Sequence, residues 1–275
     1  MRTFLLVGCA FAAPWCAYAQ VFEKVEKLGI RVNTEDYDEA SPVINLAGDR
    51  LYFTRTGSPD FERGIYENGE DIAEGLAESA YRRLLSNIYS QIAGKPVRDP
   101  YISPFNQDIH IGRIRLDRID SVWHPGFPVN NALPNSVLSA SGDSSQIILL
   151  NQFYSSGNMY DGISSAEVDS TGGFSFPEPV HFYEFYNKSG NLNLALNRHG
   201  TVMVLSMERD DSRGQNDLYV SFKIRDDLWS EPESIGDDLN TPSQETTPFV
   251  TQDGRYMYFA SDRPGTAGGM DIWVT

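Results

Sequence analysis

The chain has 275 residues, which is enough for one large domain or two small ones with a real hydrophobic core. Its 22 Lys and Arg against 38 Asp and Glu give a formal net charge of −16, so the surface repels phosphate backbones and anionic lipids, and no nucleic acid partner is expected. Aromatic residues make up 12% beside 23 Gly and 15 Pro, a mixture typical of an all-β protein with many tight turns.

Residues 1–19 have the pattern of a signal peptide. Arg2 precedes an apolar run, and Ala17 and Ala19 form an A-x-A cleavage site. The run is too short to cross a bilayer as a mature helix, so we expect an exported protein of the periplasm or the outer membrane that is not an integral membrane protein. The alternative is that "LVGC" is a bacterial lipobox, which would leave a lipidated Cys9.

A repeated unit is predicted to fill the rest of the chain, residues 20–275, as one domain. Each of four copies has a turn with Gly, an aromatic or aliphatic strand, a polar loop, and an Asp followed by an apolar strand. We interpret both recurring residue types as structural, Gly for a tight turn with positive φ and Asp for binding nearby main-chain amides. The two sets are Gly48, Gly142, Gly200 and Gly254, and Asp108, Asp161, Asp217 and Asp271.

The first and last copies complement each other. The segment "LWSEPESIGDDLNT" before the last copy matches "VFEKVEKLGIRVNT" at residues 21–34, but nothing like it follows the last copy. The pattern therefore predicts an all-β fold, a β-propeller of four-stranded blades in which the N-terminal strand completes the last blade. The alternative is that the natural chain continues beyond Thr275 into further blades.

One feature breaks the repeat, an insertion at residues 57–104 within the first blade. Its apolar residues recur at helical spacing, with Asn68 as the predicted helix cap and Gly94 as the predicted end. Leu76, Tyr81, Leu85 and Tyr89 form the candidate partner surface on this helix. The alternative is that the helix packs on its own propeller.

The closing segment "PFVTQDGRYMYFASDRPGTAGGMDIWV" resembles the WD-like periplasmic β-propeller repeat family, with TolB-type repeats. It is similar in particular to repeats of Bacteroidetes envelope proteins, which are often fused to OmpA-like peptidoglycan-binding domains. The resemblance implies a propeller fold, an envelope location and a role in interaction or scaffolding. Peptidoglycan anchoring is not implied, because the resemblance does not extend to an OmpA-like domain.

The candidate chemical groups point away from catalysis. A residue that recurs in every blade is expected to stabilise the blade, whereas a catalytic residue is expected in one blade only. The acidic run with Asp36, Asp38 and Glu39 suggests cation ligands, but Glu39 aligns with Glu245 and is better explained as a blade feature. The four histidines lack metal-ligand spacing. We therefore predict no catalytic residue, no metal site, no cofactor and no enzyme activity.

The predicted function is a non-enzymatic binding or scaffold propeller of a bacterial cell-envelope complex, with envelope proteins as partners. The alternative is a glycan- or peptide-binding propeller that uses the mouth of the ring. The loops "NQFYSSGNMYDG" and "HFYEFYNKSGNLN" would supply aromatic and amide side chains to such a ligand.

Overall fold

The computed structural model describes residues 27–275 except residues 46, 117, 142, 143, 155 and 157. The predicted signal peptide lies outside the described residues. Strands are numbered in chain order, and the first blade runs from the inside outward as β1 (Asp38–Ile44), β2 (Arg50–Thr56), β5 (Gln107–Arg115) and β6 (Arg118–Trp123). The second blade runs as β7 (Val137–Ala140), β8 (Gln146–Phe153), β9 (Met159–Glu167) and β10 (Glu178–Pro179).

Among the described residues, the third is the widest and the fourth the narrowest of the four blades. The third contains β12 (Asn193–Leu196), β13 (Val202–Met207) and β14 (Asp217–Arg225), with β15 (Leu228–Trp229) and β16 (Glu233–Ser234) both on β14, and β11 (His181–Phe182) parallel to β15. The fourth contains β17 (Glu245–Val250), β18 (Met257–Ser261) and β19 (Asp271–Val274).

Apolar side chains hold consecutive blades together. Tyr52 of the first blade packs with Ile147 of the second, and Ile148 packs with Leu205 of the third. Val204 of the third blade packs with Phe259 of the fourth. The inner strands contact each other in the order β1, β7, β12, β17. The predicted all-β propeller with four blades is therefore confirmed.

The last blade departs from the four-stranded prediction, because three strands form it in the described part of the chain. Its fourth strand was assigned to the N-terminal segment that includes Phe22, and residues 21–26 lie outside the described residues. Closure by this strand stays a prediction.

The insertion contains a helix, but the helix begins later than predicted. It spans Glu78–Ala93 (α1), with Gly94 in the left-handed conformation at its end as expected. Asn68 does not cap it. Asn68 and Gly69 have φ of 52° and 91° and form the two-residue turn between β3 (Tyr66–Glu67) and β4 (Glu70–Asp71). An Asn-Gly pair with both φ angles positive favours a hairpin over a helix start.

The candidate partner surface on this helix is corrected by the structure. Tyr81, Leu85 and Tyr89 are buried, together with Phe61 and Ile65 of the insertion itself. The Tyr89 hydroxyl also donates to the carbonyl of Ala132 in the linker to the second blade, at 2.7 Å. An amphipathic helix buries its apolar face against the nearest apolar surface, and here its own protein supplies it. Of the four predicted residues, only Leu76 is exposed.

Candidate functional site

The four inner strands surround a central cavity of about 740 Å³. Apolar side chains form much of its wall, among them Val43, Leu138 and Phe249. The volume lies in the range of sites that bind small molecules or short peptide segments. The cavity is the candidate functional site.

Arg198 is the only ionisable side chain among the described residues that line the cavity. It lies in the turn between β12 and β13, is exposed, and makes no ion pair or hydrogen bond with the described part of the chain. A free guanidinium beside an apolar wall can bind a carboxylate through two parallel hydrogen bonds.

Main-chain groups also face the cavity, because each inner strand is the edge of its sheet. The amides of Asn45, Ser141 and Thr251 donate hydrogen bonds to the neighbouring strand of their own sheet. Along an antiparallel edge strand, residues whose main chain is bonded to the neighbour alternate with residues whose main chain points outward. Ile44, Ala140 and Val250, one residue earlier, therefore direct their main-chain groups away from their own sheets. Such edges can pair with the main chain of an extended peptide.

The predicted turn glycines share one conformation where the structure describes them. Gly48, Gly200 and Gly254 have φ of 69°, 62° and 67°. Each amide donates to the carbonyl three residues earlier, on Asn45, Asn197 or Thr251. Gly142 lies outside the described residues.

The four predicted aspartates do not share one environment. Asp217 accepts hydrogen bonds from the amides of Arg213 and Gly214, and Asp271 accepts one from the amide of Ala267. Asp161 is exposed on β9. The structure does not bring the four together. Their assignment as blade supports remains a proposal.

Two glutamates hold equivalent positions in the first and last blades. Glu39 accepts hydrogen bonds from the amide and hydroxyl of Thr34 and pairs with Arg55 at 3.0 Å. Glu245 makes the same contacts with Thr241 and Arg263. The alignment of Glu39 with Glu245 predicted this equivalence. The same contacts leave Glu39 engaged in the blade rather than available as a cation ligand.

Sequence reasoning missed a buried cluster where the insertion joins the first blade. Asp108 accepts hydrogen bonds from the amide of Glu62 at 2.5 Å and from His124 Nε2 at 2.6 Å. His110 packs edge-on against His124, with 5.1 Å between ring centroids, and its Nε2 has no hydrogen-bond partner in the described structure. Asp108 therefore holds the insertion. The repeat gave no signal for this role, because Glu62 belongs to the insertion and His124 to the linker after β6.

The two histidines of this cluster respond to burial in opposite ways. Burial and the charge of Arg55 lower the pKa of His110 to about 4. Burial also lowers the pKa of His124, but the hydrogen bond and charge of Asp108, with Asp60 and Glu62, raise it overall. His110 is therefore neutral at pH 7, whereas Asp108 holds the pKa of His124 above its ordinary value.

We expect acid to destabilise the fold through His110. Below pH 6.5 the unfolded chain binds a proton on this residue, whereas the folded chain does so only near pH 4, so stability falls by at most about 3 kcal/mol across this window. His124 contributes in the opposite direction, because its raised pKa stabilises the fold at low pH and this contribution is lost as the pH rises. H110F, which keeps a ring against Phe53, should lose less stability than the wild type between pH 7 and 4 in thermal melts. The exposed His199 supplies the control H199F, and equal profiles for H110F and wild type would contradict the prediction.

No group of three His, Cys, Asp or Glu side chains in the described part of the chain is arranged to hold a metal ion. A second cavity of about 310 Å³ is lined by Glu35, Asp36 and Asp38 beside Ile102 of the insertion. None of the described helices has the length and apolar composition needed to cross a membrane.

Solved structures include proteins that are similar to this chain. No protein-family model matches the chain, and no curated protein matches it. The crystal structure of TolB from Acinetobacter baumannii is similar with a TM-score of 0.38 and 14% sequence identity, over 87% of this chain and 55% of that one. The chain thus spans about half the length of that protein.

Proposed function

We propose that the protein is a non-enzymatic binding module that acts as a scaffold in a complex of the bacterial cell envelope. The signal-peptide pattern of residues 1–19 supports export, and the closing repeat supports an envelope role by its resemblance to envelope propellers. The partner is another envelope protein, and it binds at the central cavity.

The central cavity is the observation that carries this proposal. Its wall combines three features suited to an extended peptide: apolar side chains such as Leu138, the main-chain edges at Ile44, Ala140 and Val250, and the unpaired Arg198. The edges supply affinity for any peptide main chain, whereas the apolar wall and the guanidinium select its side chains. We propose that the cavity binds an apolar peptide segment flanked by an acidic side chain.

A peptide library displayed on phage tests this proposal with residues 20–275 as the immobilised protein. The wild type should enrich apolar sequences next to Asp or Glu, and R198E should lose that enrichment by at least tenfold, since a charged hydrogen bond at this site becomes a repulsion. Arg118, an exposed arginine on β6, supplies the control R118E, which should behave as the wild type. Enrichment that is equal for R198E and the wild type would overturn the assignment of the site.

Glycan binding is a second candidate, because a pair of exposed tyrosines stands at the β8–β9 loop. Tyr154 and Tyr160 lie edge to face with 5.4 Å between ring centroids, and both are exposed. Exposed aromatic faces can stack on sugar rings. A glycan array distinguishes the candidates, since Y160A should abolish binding only if this pair holds the ligand, and R198E should then have no effect.

A further inference from the structure

Two residues of the cavity wall have a backbone conformation that their side chains disfavour. Ser41 of β1 and Thr247 of β17 have φ of 52° and 47°, and both line the cavity. A positive φ is uncommon for residues other than glycine, and it is a genuine outlier for a β-branched residue such as Thr247. Such a conformation persists only where the surrounding structure imposes it, and residues of this kind cluster at functional sites.

Both residues lie in β-bulges that share one sequence pattern. Each is the third residue of a Glu-x-(Ser/Thr)-Pro segment, which begins at Glu39 in the first blade and at Glu245 in the last. The pairing of β1 with β2, and that of β17 with β18, shifts register at these segments. A bulge inserts one residue into a strand and re-aims the side chains beside it, so each segment turns its hydroxyl-bearing residue toward the cavity.

Contacts with the third blade hold the bulge of β17 in place. The amide of Glu245 donates to the carbonyl of Asn216 at 2.8 Å, and the carbonyl of Glu245 accepts from the hydroxyl of Ser206 at 2.7 Å. The side-chain amide of Asn193 donates to the hydroxyl of Thr246 at 3.3 Å. These bonds fix the two residues before the bulged threonine, so its conformation is imposed by a packed part of the wall.

The hydroxyl groups of Ser41 and Thr247 are available to a ligand. Both residues are exposed, and neither hydroxyl makes a hydrogen bond with the described part of the chain. Ser139 also lines the cavity, but it is buried, and its hydroxyl accepts a hydrogen bond from the amide of Leu196. The first and last blades therefore add two free hydroxyls to a wall that is otherwise largely apolar.

The prolines that follow these residues leave a peptide ligand in need of a hydrogen-bond donor. A peptide that pairs with the edge of β1 at Ile44 reaches Pro42 two residues further along that edge. On β17 the same distance leads from Val250 to Pro248. Proline has no amide to donate, so a peptide carbonyl there lacks its main-chain partner. An unpaired carbonyl in an apolar cavity weakens binding, and a neighbouring hydroxyl can supply the missing donor.

We propose that Ser41 and Thr247 are specificity-determining residues of the central cavity, and that their hydroxyls donate to main-chain carbonyls of the bound peptide. This inference rests on the proposed function, because it concerns the same ligand in the same site. The bulges hold the two hydroxyls in fixed positions before the peptide arrives, so little conformational freedom is lost when it binds.

The positions of the two kinds of contact define the length of the bound segment. Arg198 lies in the turn after β12, and Ser41 lies four residues before Asn45, which begins the equivalent turn after β1. At the rise of a strand, these four residues separate the guanidinium from the hydroxyls by about 13 Å along the wall. The peptide is therefore extended and spans about five residues, with its acidic side chain at one end and the hydroxyl-bound carbonyls at the other.

Calorimetric titration of residues 20–275 tests the proposal, with a synthetic, end-blocked copy of the peptide that the wild type enriches from the phage library. The double variant S41A/T247V should bind this peptide at least tenfold more weakly, because two donors are lost. Valine keeps the β-branched shape of threonine, so the urea midpoint should stay at its wild-type value. S144A is the matched control, since Ser144 is also left-handed, with φ of 62°, but lies outside the cavity wall.

Shortening the peptide locates the contact. Removing the two residues furthest from the acidic one should weaken binding to the wild type more than binding to S41A/T247V, which has already lost the hydroxyl bonds. Equal affinities of the wild type and the double variant would overturn this inference alone, because R198E would still lose binding. A lower urea midpoint that accompanies the lost affinity would mean that the hydroxyls only support the fold, which also overturns it. If the wild type enriches no peptide, the proposed function fails and this inference fails with it.

Discussion

Replacing Glu245 by alanine is expected to lower the free energy of unfolding by about 3–5 kcal/mol. Glu245 is fully buried and accepts hydrogen bonds from the amide and hydroxyl of Thr241, the hydroxyl of Ser261 and the guanidinium of Arg263. The Arg263 side chain is only 12% exposed. Without the carboxylate, the Arg263 guanidinium is a poorly hydrated charge with no acidic partner at this site. Removing one member of a buried ion pair lowers stability by more than the intact pair contributes.

Urea denaturation of residues 20–275 measures this loss, with E245Q and E39A as comparisons. E245Q keeps an acceptor for Thr241 and should cost less than E245A. E39A removes the equivalent carboxylate of the first blade, whose side chain is 10% exposed and pairs with Arg55, so a loss of the same sign is expected. A loss below about 1 kcal/mol for E245A would contradict the prediction, since that is the range of exposed ion pairs.

Replacing Leu85 by alanine is expected to destabilise the insertion by about 2–5 kcal/mol, as other large-to-small changes in a core do. Leu85 is fully buried among Phe61, Tyr81 and Tyr89. Among the described residues, Ala132 and the half-buried Phe105 join this cluster from outside the insertion. The effect should therefore be local. The helix α1 should open while the blades remain folded.

Hydrogen exchange separates a local from a global effect. In L85A the amides of α1 should exchange at least tenfold faster, whereas those of β13 in the third blade should keep their wild-type rates. Leu84, the adjacent half-buried residue on the same helix, supplies the control L84A, which should change α1 less. Equal acceleration in α1 and β13 would show that the insertion and the blades unfold as one unit.

The repeat pattern was sufficient to predict the blades, because its signals act locally. A turn such as that at Gly200 requires a positive φ from the residue itself, and this requirement is visible in the sequence wherever the turn recurs. Glu39 and Glu245 were matched for the same reason, since each binds a threonine only a few residues away. Local constraints of this kind also predicted the end of the helix at Gly94.

Errors arose where a local signal was compatible with two structures. The apolar spacing from Ile72 onward suits a helix, but the Asn68–Gly69 pair closes a hairpin, so the helix begins only at Glu78. From the sequence, the apolar face of that helix could pack equally well against a partner protein or against its own chain. Leu85 is buried against Phe61, so the helix packs against its own chain. The sequence of the helix alone does not show which of the two surfaces it contacts.

The sequence by itself determined the all-β class, the four repeats and the place of the insertion, because turn geometry and strand periodicity depend on neighbouring residues. Only the tertiary structure decided which surfaces those repeats leave uncovered. The cavity beside Arg198, the hydrogen bond from Glu62 to Asp108 and the exposure of Ile272 all depend on how segments distant in the chain are arranged. Such contacts follow from the packing of whole blades, which no single repeat encodes.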